Sequence, residues 1–390
     1  MSADPTVIVE AIGRAVHTTS RPLHLHEPRF AGHEWDYVKD CLDTGWVSSV
    51  GKYVDSFELE LAKITGARSC VAIVNGTAAL HVALRLVGVG SDDEVIMPAL
   101  TFIATANAAV YCGAIPHFVD SEMGSLGLDP QKLRAHLARI VQRKNGKTIN
   151  GETGRAIGAV VPVHIFGHPV DMDALLTVCA EFDLPIVEDA TESLGSTYHG
   201  RPCGTLGRVG VLSFNGNKIV TTGGGGAIVT NDEELAGRAK HLTTTAKLKH
   251  PWAFIHDEIG WNYRLPNINA ALGVAQLEQL PAFVAAKRAL AQRYADAFSG
   301  VPGVQFVKEP AHTLSNYWLN AILVDDDDVT LRDAVLQACH DAGFIARPAW
   351  TLMHRLPMFK DCPRADLATA EAVERRLVNL PSSALLGMSG

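Results

Sequence analysis

The chain has 390 residues, 47% of them hydrophobic and 19% charged, with 34 Lys and Arg against 42 Asp and Glu for a formal net charge of −8. An acidic balance with dispersed basic residues offers no electrostatic footprint for a nucleic acid, and the length suits one large and one smaller domain. The opening "MSADPTVIVEAIGRAV" carries acidic residues early and no long apolar run, which argues against a signal peptide or a membrane span. Seven cysteines (Cys41, Cys70, Cys112, Cys179, Cys203, Cys339, Cys362) form no CxxC pair, so reduced thiols and a cytoplasmic location are expected.

From residue 68 to 230 the pattern alternates strand and helix. The short apolar runs "SCVAIV", "DEVIMP", "IPHFVD", "AIGAVVPVHI", "LPIVED", "VGVLSF" and "GAIVTN" read as strands of a sheet covered on both faces. Between them, "GTAALHVALRLVGV" and "DMDALLTVCAEFD" read as helices, the second opened by Asp171 as N-cap. The polar stretch "RKNGKTINGETGR" (143–155) reads as a surface loop. These elements make an α/β layered domain with a mainly parallel sheet. A long helical pattern at 267–298 then connects to "YWLNAILV" and the final helices, which make a smaller α+β domain.

Three segments bear on chemistry. In "NGTAALH" (75–81) a strand end runs into a helix opened by Gly76 and Thr77, which presents free N–H groups and the positive helix end to an anion. An ordinary capped turn has the same sequence. In "PIVEDATESLGS" (185–196) a buried strand ends at Glu188 and Asp189, where open α/β sheets place ligands, although an acid there also serves as a helix cap. In "SFNGNKIVTTGGGGAIVT" (213–230) Lys218 sits between an apolar strand and the run Gly223–Gly226; a desolvated amine there is a usable nucleophile or base, whereas most lysines lie on surfaces. Taken together, a phosphate cradle, a strand-end aspartate and a lysine preceded by Ser213 are what a pyridoxal phosphate site requires. The lysine would hold the aldehyde as a Schiff base, the aspartate would keep the pyridine nitrogen protonated, and Ser213 would add a phosphate contact. A P-loop reading fails, since no Gly-Lys-Ser/Thr follows. A metal site at His164 and His168 is weaker, because "HIFGHP" contains Gly and Pro and lacks the HExxH glutamate.

The motifs "NGTAALH", "EDATESLGS", "SFNGNKIVTTGGGGAIVT" and "GWNYRLPNINAALGVAQLEQL", in that order, resemble the DegT/DnrJ/StrS aminotransferases over most of the chain. The resemblance implies the aspartate aminotransferase type of fold (fold type I): an N-terminal arm (1–24), a large domain with a mainly parallel seven-stranded sheet (25–280) and a small C-terminal α+β domain (281–390). It implies a pyridoxal phosphate enzyme, with pyridoxamine phosphate as its second form, that passes the amino group of L-glutamate to a keto-sugar, usually nucleotide-linked. Lys218 matches the Schiff-base lysine and Asp189 the ring-nitrogen partner; Gly76, Thr77 and Ser213 match the phosphate site. Phe102 falls where the family places an aromatic ring over the cofactor, and Glu192 where Gln or His commonly stands beside the cofactor hydroxyl. Asn262 matches a residue that reaches the cofactor phosphate of the neighbouring subunit, which implies a homodimer with shared sites.

Finer likeness in "TTTAKLKHPWAFIHDEIGWNYRLPN", "SNYWLNAILV" and "ARPAWTLMHRLPMF" is to a subgroup of the legionaminic-acid and bacillosamine type, acting on C4 of a nucleotide-linked 4-keto-6-deoxy-N-acetylhexosamine. It implies that Lys247, Trp252, His256, Asn316, Arg347 and His354 lie near the sugar or nucleotide, with surface or packing roles as the alternative for each; Arg264, two residues after Asn262, would serve a substrate carboxylate or phosphate through its fork of donors, with a structural ion pair as the alternative. The rival readings are an aminotransferase for a keto-sugar free of nucleotide and a non-catalytic regulatory protein on the same fold. Lys218 argues against a sugar dehydratase, whose relatives carry histidine there.

Overall fold

The computed structural model describes residues 3–325 and 329–388. Seven strands build the large domain: β1 Ser69–Ile73, β2 Glu94–Pro98, β3 Ile115–Val119, β4 Ile157–Val160, β5 Val187–Asp189, β6 Val209–Ser213 and β7 Gly226–Thr230. They coincide with the seven apolar runs and, as those runs require, are buried almost throughout. Their order across the sheet is β3-β2-β4-β5-β6-β7-β1, β4 and β5 being joined by parallel bridges at Val160–Ile186 and Val163–Asp189. All run parallel except β7, which is antiparallel to both neighbours. The reason is local. The segment 214–225 between β6 and β7 contains no helix, so the chain folds straight back instead of crossing over, and Lys218 is left in the turn.

Six helices matter here: α1 Pro5–Val16, α2 Gly76–Leu86, α3 Ala104–Tyr111, α4 Met172–Glu181, α5 Asn267–Phe298 and α6 Val329–Asp341. Asp171 caps α4 by accepting from the Ala174 N–H (3.1 Å). Helix α5 spans 32 residues. Its first half packs beside β1 and β7 with Phe57 and Leu265, and its second half, through Leu290, Tyr294 and Phe298, enters the core of the C-terminal region. That region holds an antiparallel sheet of β8 Val304–Phe306, β9 Asn320–Val324, β10 Arg347–Pro348 and β11 Leu377–Leu380, in the order β8-β9-β11-β10.

Helix α1 shares that core. Asp4 caps it through the Thr6 N–H (2.8 Å), Pro5 fixes its first turn, and one stripe, Ile8, Ala11, Ile12, Ala15 and Val16, is buried with Tyr294, Val335, Cys339 and Phe344. The stretch 143–155 departs from the loop reading. Val141–Lys144 pairs with Lys147–Asn150 as a hairpin. Its tip is Asn145 (φ 52°) and Gly146 (φ 73°), the left-handed pair that a tight two-residue hairpin demands. The hairpin is fastened from beneath, where buried Asn150 donates to Glu94 (2.8 Å).

Candidate active site

The parallel strands leave the sheet along one edge, where β1, β2, β4, β5 and β6 deliver Asn75, Thr101, Val163, Asp189 and Ser213 to the wall of one cavity of about 310 Å³. At its floor the chain leaves β1 extended, and Asn75 caps α2 by accepting from the Ala78 N–H (2.7 Å). The remaining first-turn N–H groups of α2 have no helical acceptor and sit beside Ser213. Gly76 keeps this approach close: a Cβ would stand 3.0 Å from the Ser213 Cβ and 3.2 Å from the Thr191 Cγ2, and both side chains would have to give way. Gly226 is needed behind it, since a Cβ would come 2.5 Å from the Asn75 carbonyl carbon and push β7 off the turn. Backbone donors, the positive helix end and a hydroxyl thus converge on one spot, which is what a dianionic phosphate needs.

Asp189 ends β5 on the cavity side and is 3% exposed. Its Oδ2 accepts from the Thr105 hydroxyl of α3 (2.7 Å), and its Oδ1 accepts from the Thr191 hydroxyl (2.7 Å) and N–H (3.2 Å). Glu188, one residue earlier, points to the opposite face of the strand. There it meets His164 Nε2 (3.0 Å) and accepts from the Gly204 N–H (2.8 Å). His168 is fully buried, its ring edge-on to Tyr317 at 5.1 Å.

Lys218 projects into the cavity. Its Nζ lies 3.4 Å from Glu192 Oε1 and 3.8 Å from the centre of the Trp318 ring. Burial pushes the Glu192 carboxyl up to about 7, against the opposing pull of Lys218 and of the Phe166 N–H on its Oε2 (2.8 Å). Trp318 is fixed at both ends: its indole N–H donates to the Asn217 carbonyl (2.7 Å), and its backbone carbonyl accepts from the Nζ of the fully buried Lys287 of α5 (3.1 Å). Phe102, half exposed, and Trp350 stand at the mouth with ring centres 6.3 Å apart.

The anion cradle, the fixed carboxylate and the single amine among the described residues lining the cavity fit pyridoxal phosphate. Gly76, Thr77 and Ser213 would take its phosphate, Asp189 its ring nitrogen and Lys218 its aldehyde.

The seven expected substrate residues do not line this cavity. Arg264 is buried, and its fork is spent on Glu58 Oε1 (2.6 Å) and the Ala72 carbonyl (3.0 Å), so it ties the chain together instead of meeting a substrate anion. Asn316 is fully buried behind Glu192, donating to the carbonyls of Glu192 (3.0 Å) and Leu194 (2.9 Å). Arg347 lies exposed on β10, and His354 sits against Glu371 (3.3 Å). Lys247, Trp252 and His256 stand together on an exposed arm, with Asn262 exposed at its base. Conversely, Thr105, Thr191, Trp318 and Trp350 belong to the site without having been singled out. Only Thr191 carried a signal, as a hydroxyl two residues after a strand-end aspartate.

Comparison with known proteins agrees with the geometry. A model described as the DegT/DnrJ/EryC1/StrS aminotransferase family matches residues 28–389. The chain is 37% identical over 367 residues to GDP-perosamine synthase of Caulobacter vibrioides, covering 93% of each chain. It is 36% identical over 363 residues to GDP-perosamine synthase of Vibrio cholerae, covering 92% of this chain and 94% of that one. Among solved structures, DesI crystallised in the presence of its TDP-sugar product superposes with a TM-score of 0.81 at 29% identity, covering 93% of this chain and 88% of that one. The chain belongs to the DegT/DnrJ/EryC1/StrS aminotransferase family, and it is a pyridoxal phosphate-dependent aminotransferase.

Proposed function

We propose that this enzyme transfers the amino group of L-glutamate to C4 of a nucleotide-linked 4-keto-6-deoxyhexose, with the N-acetylhexosamine form as the first candidate, for bacterial surface-glycan or nonulosonic-acid synthesis. The observation that carries the amino-transfer half is the Lys218 amine held over a cavity whose floor offers Asp189 and an anion cradle. The relatives named for GDP-perosamine and for a TDP-sugar support the nucleotide-sugar half.

When bound, pyridoxal phosphate supplies an aldehyde for the donor amine and a sink for the electrons of its α-carbon. The chain does the rest. The start of α2 and Ser213 anchor the phosphate, Asp189 presents a fixed negative charge, and Lys218 Nζ carries a proton between the two carbons that exchange it. Trp318 inside the cavity and Trp350 and Phe102 at its mouth restrict water. The assay is direct: purified enzyme with L-glutamate and a panel of GDP-, UDP- and TDP-linked 4-keto-6-deoxy sugars, with and without a 2-acetamido group. An amino-sugar nucleotide formed from one of them, with 2-oxoglutarate in equal amount, is the expected result. Amination of unlinked keto-sugars alone would overturn the nucleotide requirement.

The active unit we infer is a homodimer with shared sites. The arm bearing Lys247, Trp252 and His256 exposes Trp252 at 82%, Phe254 at 80% and Ile259 at 83%, an apolar surface that a second copy would cover. Asn262 at its base would then reach the partner's phosphate cradle. Mixing inactive Lys218→Ala subunits with inactive Asn262→Ala subunits should recover about a quarter of wild-type activity on random exchange, because half the dimers then hold one intact site of two. No recovery despite demonstrated exchange would rule out the shared site. Among the described residues no helix is long and apolar enough to cross a membrane. The seven cysteines are free, which supports a cytoplasmic placement.

A further inference from the structure

We propose that Glu192 is a second acid–base residue of the reaction, its Oε1 exchanging a proton directly with the Lys218 amine. The inference rests on the aminotransferase role of Lys218 and is independent of which sugar is the acceptor.

Glu192 is gripped on every side but one. Its backbone carbonyl accepts from Asn316 Nδ2 (3.0 Å), and its Oε2 accepts from the Phe166 N–H (2.8 Å). Phe166 is in the left-handed region (φ 56°, ψ 12°), where a bulky residue is a genuine outlier, and that conformation accompanies an N–H directed at the carboxylate. The turn is backed by Gly167 (φ 96°), whose missing Cβ leaves room for Asn316 Oδ1. Oε1 is left with Lys218 Nζ as its partner, at 3.4 Å. That separation is longer than a tight charged pair, and the amine stands at once beside Glu192, over the Trp318 face and at the cavity wall. The charged groups acting on Glu192 are Lys218 and Asp189, one of each sign, and burial brings the carboxyl to about 7, where both of its forms are accessible.

The step balances without a co-reactant. The Lys218 N–H bond breaks with its electron pair staying on nitrogen, and an O–H bond forms on Glu192 Oε1. An ammonium and a carboxylate become an amine and a carboxylic acid, an uncharged pair that a buried site tolerates better than two ions. The neutral amine can then remove the proton of the donor's α-carbon, and in the acceptor half the proton returns along the same path. Were Glu192 only a contact for the cofactor hydroxyl, Gln would serve equally well, since it has the same shape and keeps an acceptor and a donor at that place.

The test uses full-length wild-type enzyme and the Glu192→Gln variant, each loaded with pyridoxamine phosphate so that Lys218 is free whatever the natural donor. Infrared difference spectra from pH 5 to 9 should show a carboxylic-acid carbonyl band that titrates near 7 in the wild type and is missing from the variant. In single turnovers of the pyridoxal form with L-glutamate, the variant should be slower by about a hundredfold and lose the rise of rate with pH through 7, with donor and cofactor affinity nearly unchanged. A variant with wild-type rate and pH profile, or a wild type with no such band, overturns the proposal. If no amino acid reacts with the wild type, the donor reading fails instead, and the infrared titration still decides whether Glu192 carries the proton.

Discussion

The Lys218→Ala enzyme is expected to lose amino transfer by at least about 10⁴-fold, since both the covalent link to the cofactor and the proton carrier go with one side chain. It should still fold. The contacts removed are the Glu192 carboxylate and one face of Trp318, and Trp318 keeps its own bonds to Asn217 and Lys287. The cost falls on Glu192, which loses the cation that holds its pKa down. A carboxyl whose folded pKa lies above its ordinary 4.5 is protonated in the fold and ionised in the unfolded chain between those two values, so this group makes stability fall as pH rises across that window. In the wild type the fall ends near 7; without Lys218 it continues to higher pH. Thermal melts of the two cofactor-free proteins should therefore coincide near pH 5, with the variant lying below the wild type near pH 8.5, while with cofactor added the visible absorbance of the lysine-linked form is absent from the variant at both. Transfer retained within tenfold of wild type would remove Lys218 from its role.

The features legible in the sequence were those that local chemistry dictates. Seven apolar runs became seven strands because a strand covered on both faces has no choice of composition. The edge on which Asp189, Ser213 and Gly76 meet follows once the strands run parallel, since each loop then leaves from the same side. Lys218 alone read as a surface lysine as readily as a catalytic one, and it stood out only together with the cradle at Gly76 and Thr77, Asp189 and Ser213. What stayed hidden depends on partners remote in the chain. The fork of Arg264 is consumed by Glu58 and Ala72, and the amide of Asn316 by Glu192 and Leu194. Both residues look free when only their neighbours in sequence are visible. Trp318 read as a strand residue, and its place over Lys218 depends on Lys287, a lysine on a long helix that no local pattern marks as fully buried. Hairpin 141–150 was missed for a different reason. Its Asn-Gly tip was visible, but its short polar strands lack the alternation that identifies half-buried strands.

Asp189→Asn separates charge from geometry at the floor of the site. Asparagine has the same shape, and its carbonyl oxygen can still accept from the Thr191 hydroxyl and N–H. The Thr105 hydroxyl need only rotate to accept from the new amide, so the side chain should stay in place. What vanishes is a formal negative charge that is 3% exposed, hence poorly screened and strongly felt inside the cavity. A fixed charge aimed at the reacting system is commonly worth two to three orders of magnitude, so kcat for the donor half-reaction should fall by about 10³-fold. Cofactor affinity should fall far less, because the phosphate cradle at Gly76, Thr77 and Ser213 is untouched. The Thr105→Val and Thr191→Ala variants supply the contrast: each leaves the charge but loosens its support, and each should cost about tenfold. Single-turnover rates with the four proteins, read beside the affinity of each for pyridoxal phosphate, make the comparison. If Asp189→Asn stays within fivefold of wild type while either threonine variant falls further, the aspartate acts by position, and its charge is not what the reaction uses.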